Sequence, residues 1–212
     1  MLRAKIIEIG KEMIQTGLVA GTWGNISAWD DSRDGFWITP SGMNYLTLEE
    51  EDLVLMNLQG KILEGRRKPS SEEHLHRAVY AERQDVKGIV HTHSIYATAH
   101  AVARVSLPAL VEDFAMIAGG EVNVADYHPA GTGALAEAAV SSLADNNAVF
   151  LANHGLVGVG RSVDEALKVC QIVEKSAQIH IMSRLLGNPF QLSDEDKRVL
   201  RADYLYQYGQ RE

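Results

Sequence analysis

The sequence predicts a single α/β domain built around a partly antiparallel sheet. Its 212 residues fit one domain with a substantial core. Amphipathic stretches with helical spacing alternate with short apolar runs of strand length. Some runs return directly through a turn, as at 53–56 and 61–63, which flank Gln59 and Gly60 and indicate a hairpin. Because no repeat or linker divides the sequence, residues 1–212 are expected to form one domain.

Six helices are predicted where apolar residues recur every three or four positions. The first ends near Gly17, and the longest opens at a capping box that runs from Ser162 to Glu165. The second begins at Ser70 or Ser71. The predicted helices span about 3–18, 70–83, 95–104, 133–144 and 162–186, and the last starts at 193.

Strands are predicted where short apolar runs are bounded by turn-forming residues. Two turns, 21–25 and 40–42, contain glycines that allow positive φ and can expose backbone amides. The predicted strands span 26–30, 36–39, 53–56, 61–63, 86–93, 109–112, 122–126, 148–153 and 156–159.

Composition and charge narrow the class of partner. The formal net charge of −8 argues against nucleic acid or an anionic membrane, although amides and a metal can still form a local anion site. No apolar run approaches the ~20 residues of a membrane span, and the N-terminus lacks the apolar stretch of a signal peptide. The single cysteine, Cys170, excludes an internal disulfide and is expected in the core rather than as a reactive thiol. A cytoplasmic location is predicted.

The strongest chemical signal is the pair His91 and His93. Residues i and i+2 of a strand point to the same face, so the two imidazoles suit two ligands of one ion. The alternative is a pair of core histidines satisfied by hydrogen bonds. His154, at a bend after a second apolar strand, favours the metal, because three imidazoles leave a coordination position open, as in catalytic zinc sites. Cobalt, nickel or manganese could also occupy such a site.

Glu72 is the candidate general base. Two glutamates follow the serines at the start of the second helix, and Glu73 fits a capping box with Ser70 and an ion pair with Arg77. Glu72 instead shares the inward face of the helix, where a carboxylate beside a metal can transfer protons. Ser70 and Ser71 also offer hydroxyls and amides to a phosphate, as do the turns at 21–25 and 40–42, although each could be only a turn.

Five motifs follow one another along the chain, and they are Gly-Thr-Trp-Gly-Asn-Ile-Ser at 21–27, Ile-Thr-Pro-Ser-Gly at 38–42, Lys-Pro-Ser-Ser-Glu at 68–72, His-Thr-His at 91–93 and Asn-His-Gly-Leu at 153–156. In this order they resemble the class II aldolase/adducin family. The resemblance implies a three-layer α/β/α fold around a largely antiparallel central sheet, assembled as a homotetramer with active sites between subunits.

The resemblance also implies site residues. Zinc would be held by His91, His93 and His154, with Glu72 as the acid/base. Tyr208 is similar to a tyrosine in a C-terminal tail, here about 192–212, that folds over the site in the aldolases. The implied phosphate pocket consists of Gly24, Asn25, Ser41, Gly42, Ser70 and Ser71.

The implied reaction is reversible cleavage of a ketose 1-phosphate, L-fuculose 1-phosphate or a similar deoxy-sugar phosphate. The products are dihydroxyacetone phosphate and an aldehyde, formed through a metal-bound enediolate with Glu72 transferring the proton at C3.

One segment, 108–114, departs from the family aldolases. There Asp113 stands nearest to a tyrosine that a neighbouring subunit lends to the aldehyde side. Asp113 or Glu112 could serve as a proton donor, or both could be surface charges at a subunit contact.

The sequence leaves two alternative functions open, another reaction of the same family and a non-catalytic role. The same family contains sugar-phosphate epimerases, dehydratases and decarboxylases, and the epimerases usually add an aspartate that 70–83 does not contain. The family also contains a non-catalytic scaffold, the adducin head domain, which lacks the metal histidines. The three histidines and Glu72 of this sequence favour an enzyme.

Overall fold

A computed structural model describes residues 1–208, and residues 209–212 lie outside that description. Eight strands are present among the described residues. They are β1 (Asn25–Asp30), β2 (Gly35–Ile38), β3 (Val54–Met56), β4 (Ile62–Glu64), β5 (Gly88–Thr92), β6 (Val124–Ala125), β7 (Ala148–Leu151) and β8 (Gly155–Gly160).

The described helices surround this sheet. They are α1 (Leu2–Gln15), α2 (Glu73–Glu82), α3 (Ile95–Ala103), α4 (Glu112–Ala118), α5 (Gly133–Leu143), α6 (Val163–Leu186) and α7 (Asp194–Tyr206), with a 3-10 turn at Glu50–Asp52. No helix of the described part of the chain is long and apolar enough to cross a membrane.

All eight strands form one mixed sheet in the order β4-β3-β2-β1-β5-β8-β7-β6. Every neighbouring pair is antiparallel except β6 and β7, which are parallel. The predicted α/β class and the largely antiparallel sheet are therefore confirmed. Strand β5 lies between β1 and β8, so the 91–93 motif sits at the centre of the sheet.

Alternation along the strands separates two apolar clusters, one on each face of the sheet. Val90 of β5 belongs to the cluster that includes α1, α3, α4 and α6. Ile89 belongs to the cluster that includes α2 and α5. Because side chains of a strand alternate, His91 shares the face of Ile89. The face covered by α2 and α5 is thus the one that carries the chemistry.

One predicted strand is wrong, because 109–112 leads into a helix instead. Val111 is the extended N-cap residue of α4, and Glu112 and Asp113 occupy its first turn, where acidic side chains interact favourably with the helix dipole. Only Leu107 pairs in this region, as an isolated bridge to Val122. The helix ends at Gly119, whose φ is +86°.

Helix ends also differ from the prediction. The first helix ends at Gln15 rather than 18, because Gly17 adopts a φ of +72° and the chain turns back with Leu18 N–H bonded to Met13 O at 2.9 Å. The second begins at Glu73, and the predicted Ser70 capping box is wrong, since Ser70 Oγ accepts only the Glu72 amide, at 3.3 Å.

Helix α6 contains two features that the sequence predicted, an N-terminal capping box and a cysteine in the core. Ser162 does cap this helix, accepting the Glu165 amide at 3.2 Å. The Glu165 carboxylate bonds to Arg161 rather than completing the box. Cys170 is buried beneath β5, and burial raises the pKa of its thiol to about 12, as expected of a core residue.

Candidate metal centre and active site

Three histidines converge at the centre of the described structure. The Nε2 atoms of His93 and His91 are 2.9 Å apart, and those of His91 and His154 are 3.3 Å apart. Nitrogen ligands of one tetrahedral zinc ion, each about 2.0–2.1 Å from the metal, lie roughly 3.3 Å from one another. The ligand atoms of all three imidazoles lie within 4.8 Å of one another, so the predicted histidines come together as a group that could hold one metal ion.

The local backbone geometry positions each of the three imidazoles. His91 lies on β5, and His93 follows the end of that strand on the same side. His154 sits in the tight turn between β7 and β8, where Asn153 adopts a left-handed φ of +55°. Gly155 allows the close approach, because a Cβ there would lie 2.3 Å from the Thr92 carbonyl oxygen.

The protonation states of the histidines in this cluster suit the binding of a cation. His91 Nδ1–H donates to the Leu156 carbonyl at 3.0 Å, which leaves the lone pair on Nε2. Burial lowers the pKa of His91 and of His93 to about 3, so both offer lone pairs. Glu72 Oε1 is buried and has no hydrogen-bond partner among the described residues. Three converging nitrogens and one orphaned carboxylate oxygen are the surroundings that a divalent metal satisfies.

Glu72 closes the cluster from the side of α2. Its side chain is buried, as the helix-face argument predicted, and it follows the serine pair as the N-cap residue of α2. Glu72 Oε2 lies 3.3 Å from His91 Nε2, and Oε1 lies 3.5 Å from His154 Nε2. Asn25 Nδ2 donates to Oε2 at 2.8 Å. The carboxylate is therefore beside the metal position and held on one edge by an amide.

The two serine-containing turns meet beside Glu72. Pro40 and Pro69 form an antiparallel bridge, Ser41 N–H donates to the Lys68 carbonyl and Ser70 N–H donates to the Thr39 carbonyl, each at 3.0 Å. These two amides are consequently not available to a phosphate. A cleft of about 240 Å³ opens between the turns and the cluster. It is lined by Thr22, Trp23, Gly24, Asn25, Pro40, Ser41, Gly42, Ser70, Ser71, Glu72, Ala130 and His154.

All six residues of the implied phosphate pocket line this cleft. The hydroxyls of Ser41 and Ser71 and the amides of Gly42 and Ser71 make no hydrogen bond within residues 1–208. Hydroxyls and amides in such a concavity suit a phosphate group. A larger cavity of about 440 Å³ between α4 and α7 contains neither the histidines nor Glu72, so the smaller cleft is the candidate site.

The backbone conformation and the close packing at position 24 both favour glycine. Its φ is +82°, and a Cβ at this position would lie 2.6 Å from the His91 carbonyl oxygen and 2.8 Å from Val19. Its own carbonyl accepts the Tyr45 hydroxyl at 2.8 Å. The turn therefore lies directly against the strand that carries His91.

We expect Gly24→Ala to destabilise the protein and loosen the metal site. The left-handed backbone alone costs an alanine about 1–2 kcal/mol, and the clash must also displace either the turn or β5. Urea unfolding and metal stoichiometry check this result. The matched control is Gly21→Ala, because Gly21 has a φ of +63° but no atom near its would-be Cβ. Equal losses in both variants would contradict the close-approach argument.

Two predicted site residues lie elsewhere in the protomer. Asp113 is on α4 and pairs with Lys175 of α6. Tyr208 is exposed, and its ring is tilted against that of Tyr204, with centroids 5.7 Å apart. Neither lines the cleft among the described residues. The last four residues of the predicted tail, 209–212, lie outside the described residues. Roles for Asp113 and Tyr208 stay predictions that require a neighbouring subunit.

Sequence reasoning missed two features of the site. Trp23 is 67% exposed, and its ring lies 5.9 Å from that of His93 at the mouth of the cluster. His76 is fully buried and bonds to Asn25 behind Glu72. The signal for His76 was its place one helical turn after Glu72, on the same inward face.

The sequence model of the Class II Aldolase and Adducin N-terminal domain family matches residues 4–181. The chain belongs to this family. The resemblance of its five motifs is thereby confirmed.

Curated and solved class II aldolases are similar over nearly the whole chain. The 5-deoxy-D-ribulose 1-phosphate aldolase of Bacillus thuringiensis serovar kurstaki is 40% identical over 208 residues, covering 98% of this chain and 97% of the relative. The L-fuculose phosphate aldolase of Escherichia coli K12 is 34% identical over 200 residues, covering 94% and 92%. A solved L-fuculose 1-phosphate aldolase superposes with a TM-score of 0.93 at 35% identity, covering 97% and 96%.

Proposed function

We propose that this class II aldolase reversibly cleaves a ketose 1-phosphate of the deoxy-sugar kind, L-fuculose 1-phosphate, 5-deoxyribulose 1-phosphate or a similar compound, to dihydroxyacetone phosphate and an aldehyde. Enzyme status follows from the family relatives, which are named as aldolases. The observation that carries the proposal is Glu72, a buried carboxylate with an orphaned oxygen placed between the histidine cluster and the cleft of the two turns.

His91, His93 and His154 would hold the metal, with zinc proposed and cobalt, nickel or manganese as alternatives. A bound ion would supply Lewis-acid stabilisation of charge on the substrate oxygens. The residues around it perform positioning and proton transfer. Ser41, Ser71 and the amide of Gly42 would hold the phosphate, whose remote binding energy orients the reacting carbon.

Glu72 is the group that would move the proton at C3. In the condensation direction its carboxylate removes a proton from the hydroxymethyl carbon of dihydroxyacetone phosphate, and in cleavage it returns that proton. Its burial excludes water that would compete for the carbanionic carbon. The C4 hydroxyl must lose a proton when the C3–C4 bond breaks. Asp113 or Tyr208 of a neighbouring subunit is proposed to assist at that end.

A fourfold homotetramer would bring such groups to the site. Support comes from apolar side chains that one protomer leaves exposed on α3 and on the C-terminal end of α6, including Ile95, Val102, Leu185 and Leu186. Closure of the tail over a site also belongs to this proposal. The two apolar clusters on opposite faces of the sheet support the three-layer arrangement.

Trp23 supports a substrate with an apolar end. A second, open cleft shares Trp23 and His154 with the phosphate cleft and is also lined by Ala20, His93 and Asn153. A ketose that extends from the phosphate cleft into this second cleft would place its far end beside the indole. A terminal methyl group suits this surface better than a hydroxymethyl group, which would lose water contacts there.

We therefore expect Trp23→Ala to reduce discrimination between 5-deoxyribulose 1-phosphate and ribulose 1-phosphate. Loss of an indole contact to one methyl group is worth about 1 kcal/mol, so the ratio of the two kcat/KM values should fall roughly fivefold. Steady-state kinetics with both ketoses measure this ratio, and Trp23→Phe serves as the matched control because it retains an aromatic wall. An unchanged ratio in Trp23→Ala would remove Trp23 from specificity.

The experiment that tests the function is incubation of the zinc-loaded protein with a panel of ketose 1-phosphates, including fuculose and 5-deoxyribulose phosphates. Release of dihydroxyacetone phosphate, abolished by a chelator, is the expected result. No release from any member with metal bound would overturn the aldolase and direct product analysis to epimerase, dehydratase and decarboxylase reactions, with ribulose 5-phosphate as the first epimerase substrate. Purification without stoichiometric metal would indicate a scaffold.

A further inference from the structure

A continuous chain of hydrogen bonds runs from Glu72 into the interior between α2 and β1. Asn25 bonds to Glu72 at 2.8 Å and to His76 Nε2 at 2.5 Å. His76 Nδ1 lies 2.6 Å from Ser27 Oγ, which lies 2.8 Å from the Tyr80 hydroxyl. None of these five side chains is more than 6% exposed. Polar groups buried this deeply must satisfy one another.

The direction of every bond follows from the carboxylate at one end. An ionised carboxylate only accepts, so the Asn25 amide presents Nδ2 to Glu72 and its oxygen to His76. His76 must then carry its proton on Nε2 and accept at Nδ1 from Ser27. Ser27 in turn accepts from Tyr80. All four bonds therefore donate towards Glu72, an arrangement in which each bond polarises the next.

Burial keeps His76 in the neutral form that this direction requires. It lowers the pKa of the imidazole to about 3, an effect that nearby His91 reinforces and Glu72 opposes. A neutral ring has one donor and one acceptor, which matches its two partners, Asn25 and Ser27. A 180° turn of the ring would set Cε1 against the Asn25 oxygen and Cδ2 against the Ser27 hydroxyl, and both hydrogen bonds would be lost.

We propose that His76 is a positioning residue for the reaction, acting through Asn25 to fix the catalytic carboxylate. The inference rests on the proposed function of Glu72. With the Asn25 oxygen bound to His76, the amide nitrogen is held on the side of Glu72. Without the His76 Nε2–H donor, the Asn25 amide can also adopt a flipped orientation, in which its oxygen faces the Glu72 carboxylate. The carboxylate then loses its fixed orientation towards the substrate carbon.

The test compares His76→Gln, whose amide nitrogen can replace Nε2 as donor, with His76→Leu, which has similar bulk and no donor. We expect kcat of the zinc-loaded leucine variant to fall about 10- to 100-fold with metal content unchanged, and the glutamine variant to recover most of it. Equal losses in both variants, or no loss in the leucine variant, would overturn the proposal. Circular dichroism excludes any variant that has not folded.

A spectroscopic readout on the wild-type protein keeps the inference independent of activity and of variant folding. Nitrogen-15 NMR of histidine-labelled, zinc-loaded protein should show His76 neutral, with Nε2 protonated and Nδ1 bare, and Tyr80→Phe should shift the Nδ1 resonance. A ring protonated on Nδ1 would refute the chain. If wild-type protein cleaves no ketose 1-phosphate while this tautomer is observed, the proposed function fails and the hydrogen-bond chain stands.

Discussion

Glu72→Gln is expected to retain fold and metal while turnover falls by at least about a hundredfold, the range that loss of a general base produces. The substitution keeps the shape of the side chain. Asn25 would still donate to the amide oxygen, leaving the new amide nitrogen at the orphaned position near His154. The variant therefore removes proton transfer with little change in packing.

Steady-state cleavage and exchange of the C3 proton of dihydroxyacetone phosphate with deuterated solvent measure this loss. Glu73→Gln is the matched control, because Glu73 is the adjacent carboxylate and pairs with Arg77 instead of facing the histidines. We expect the control to remain within about twofold of wild type, since Glu73 contacts Arg77 and not the histidine cluster. Near-normal exchange in Glu72→Gln would exclude Glu72 as the base.

His93→Ala is expected to lose stoichiometric metal and, with it, cleavage activity. Two imidazoles bind a divalent ion far less tightly than the three that converge here. His93 is a better choice than His91, because it is partly exposed and its truncation leaves no buried cavity.

Metal analysis after gel filtration, together with thermal unfolding, checks the second prediction. His74→Ala is the control, since His74 lies on the solvent side of α2 next to Arg77. The control should bind metal as wild type does. A fully metallated and active His93→Ala protein would contradict the three-histidine site.

The local features of this site were predictable, whereas the features that depend on distant partners were not. The period of a strand identified His91 and His93, and the period of a helix identified the inward side of Glu72. Spacing did not predict that Pro40 pairs with Pro69, which is what brings the two turns together. Nor did it predict that α2 lies over β1, so the partners of His76 were not visible.

The error at α4 has a different cause. Residues 109–111 are apolar and resemble a strand, yet Glu112 and Asp113 begin a helix in which Phe114, Ala115 and Ile117 are buried. Burial of that apolar face outweighed the strand preference of the preceding residues. Asp113 and Tyr208 stay predictions for a related reason, because a contact between subunits leaves no periodic mark in one chain.

The geometry of the hydrogen-bond chain restricts how this region of the gene can change in length. His76 and Tyr80 are four residues apart on α2, a rise of about 6.0 Å, and Glu72, the N-cap residue of α2, stands four residues before His76. Asn25 and Ser27 are two residues apart on β1, a rise of about 6.6–6.8 Å. The two spacings nearly coincide, so every partner meets the next. A single insertion or deletion within either segment would rotate the residues beyond it by about 100° around the helix, or turn them to the other face of the strand, and would interrupt the chain at that point.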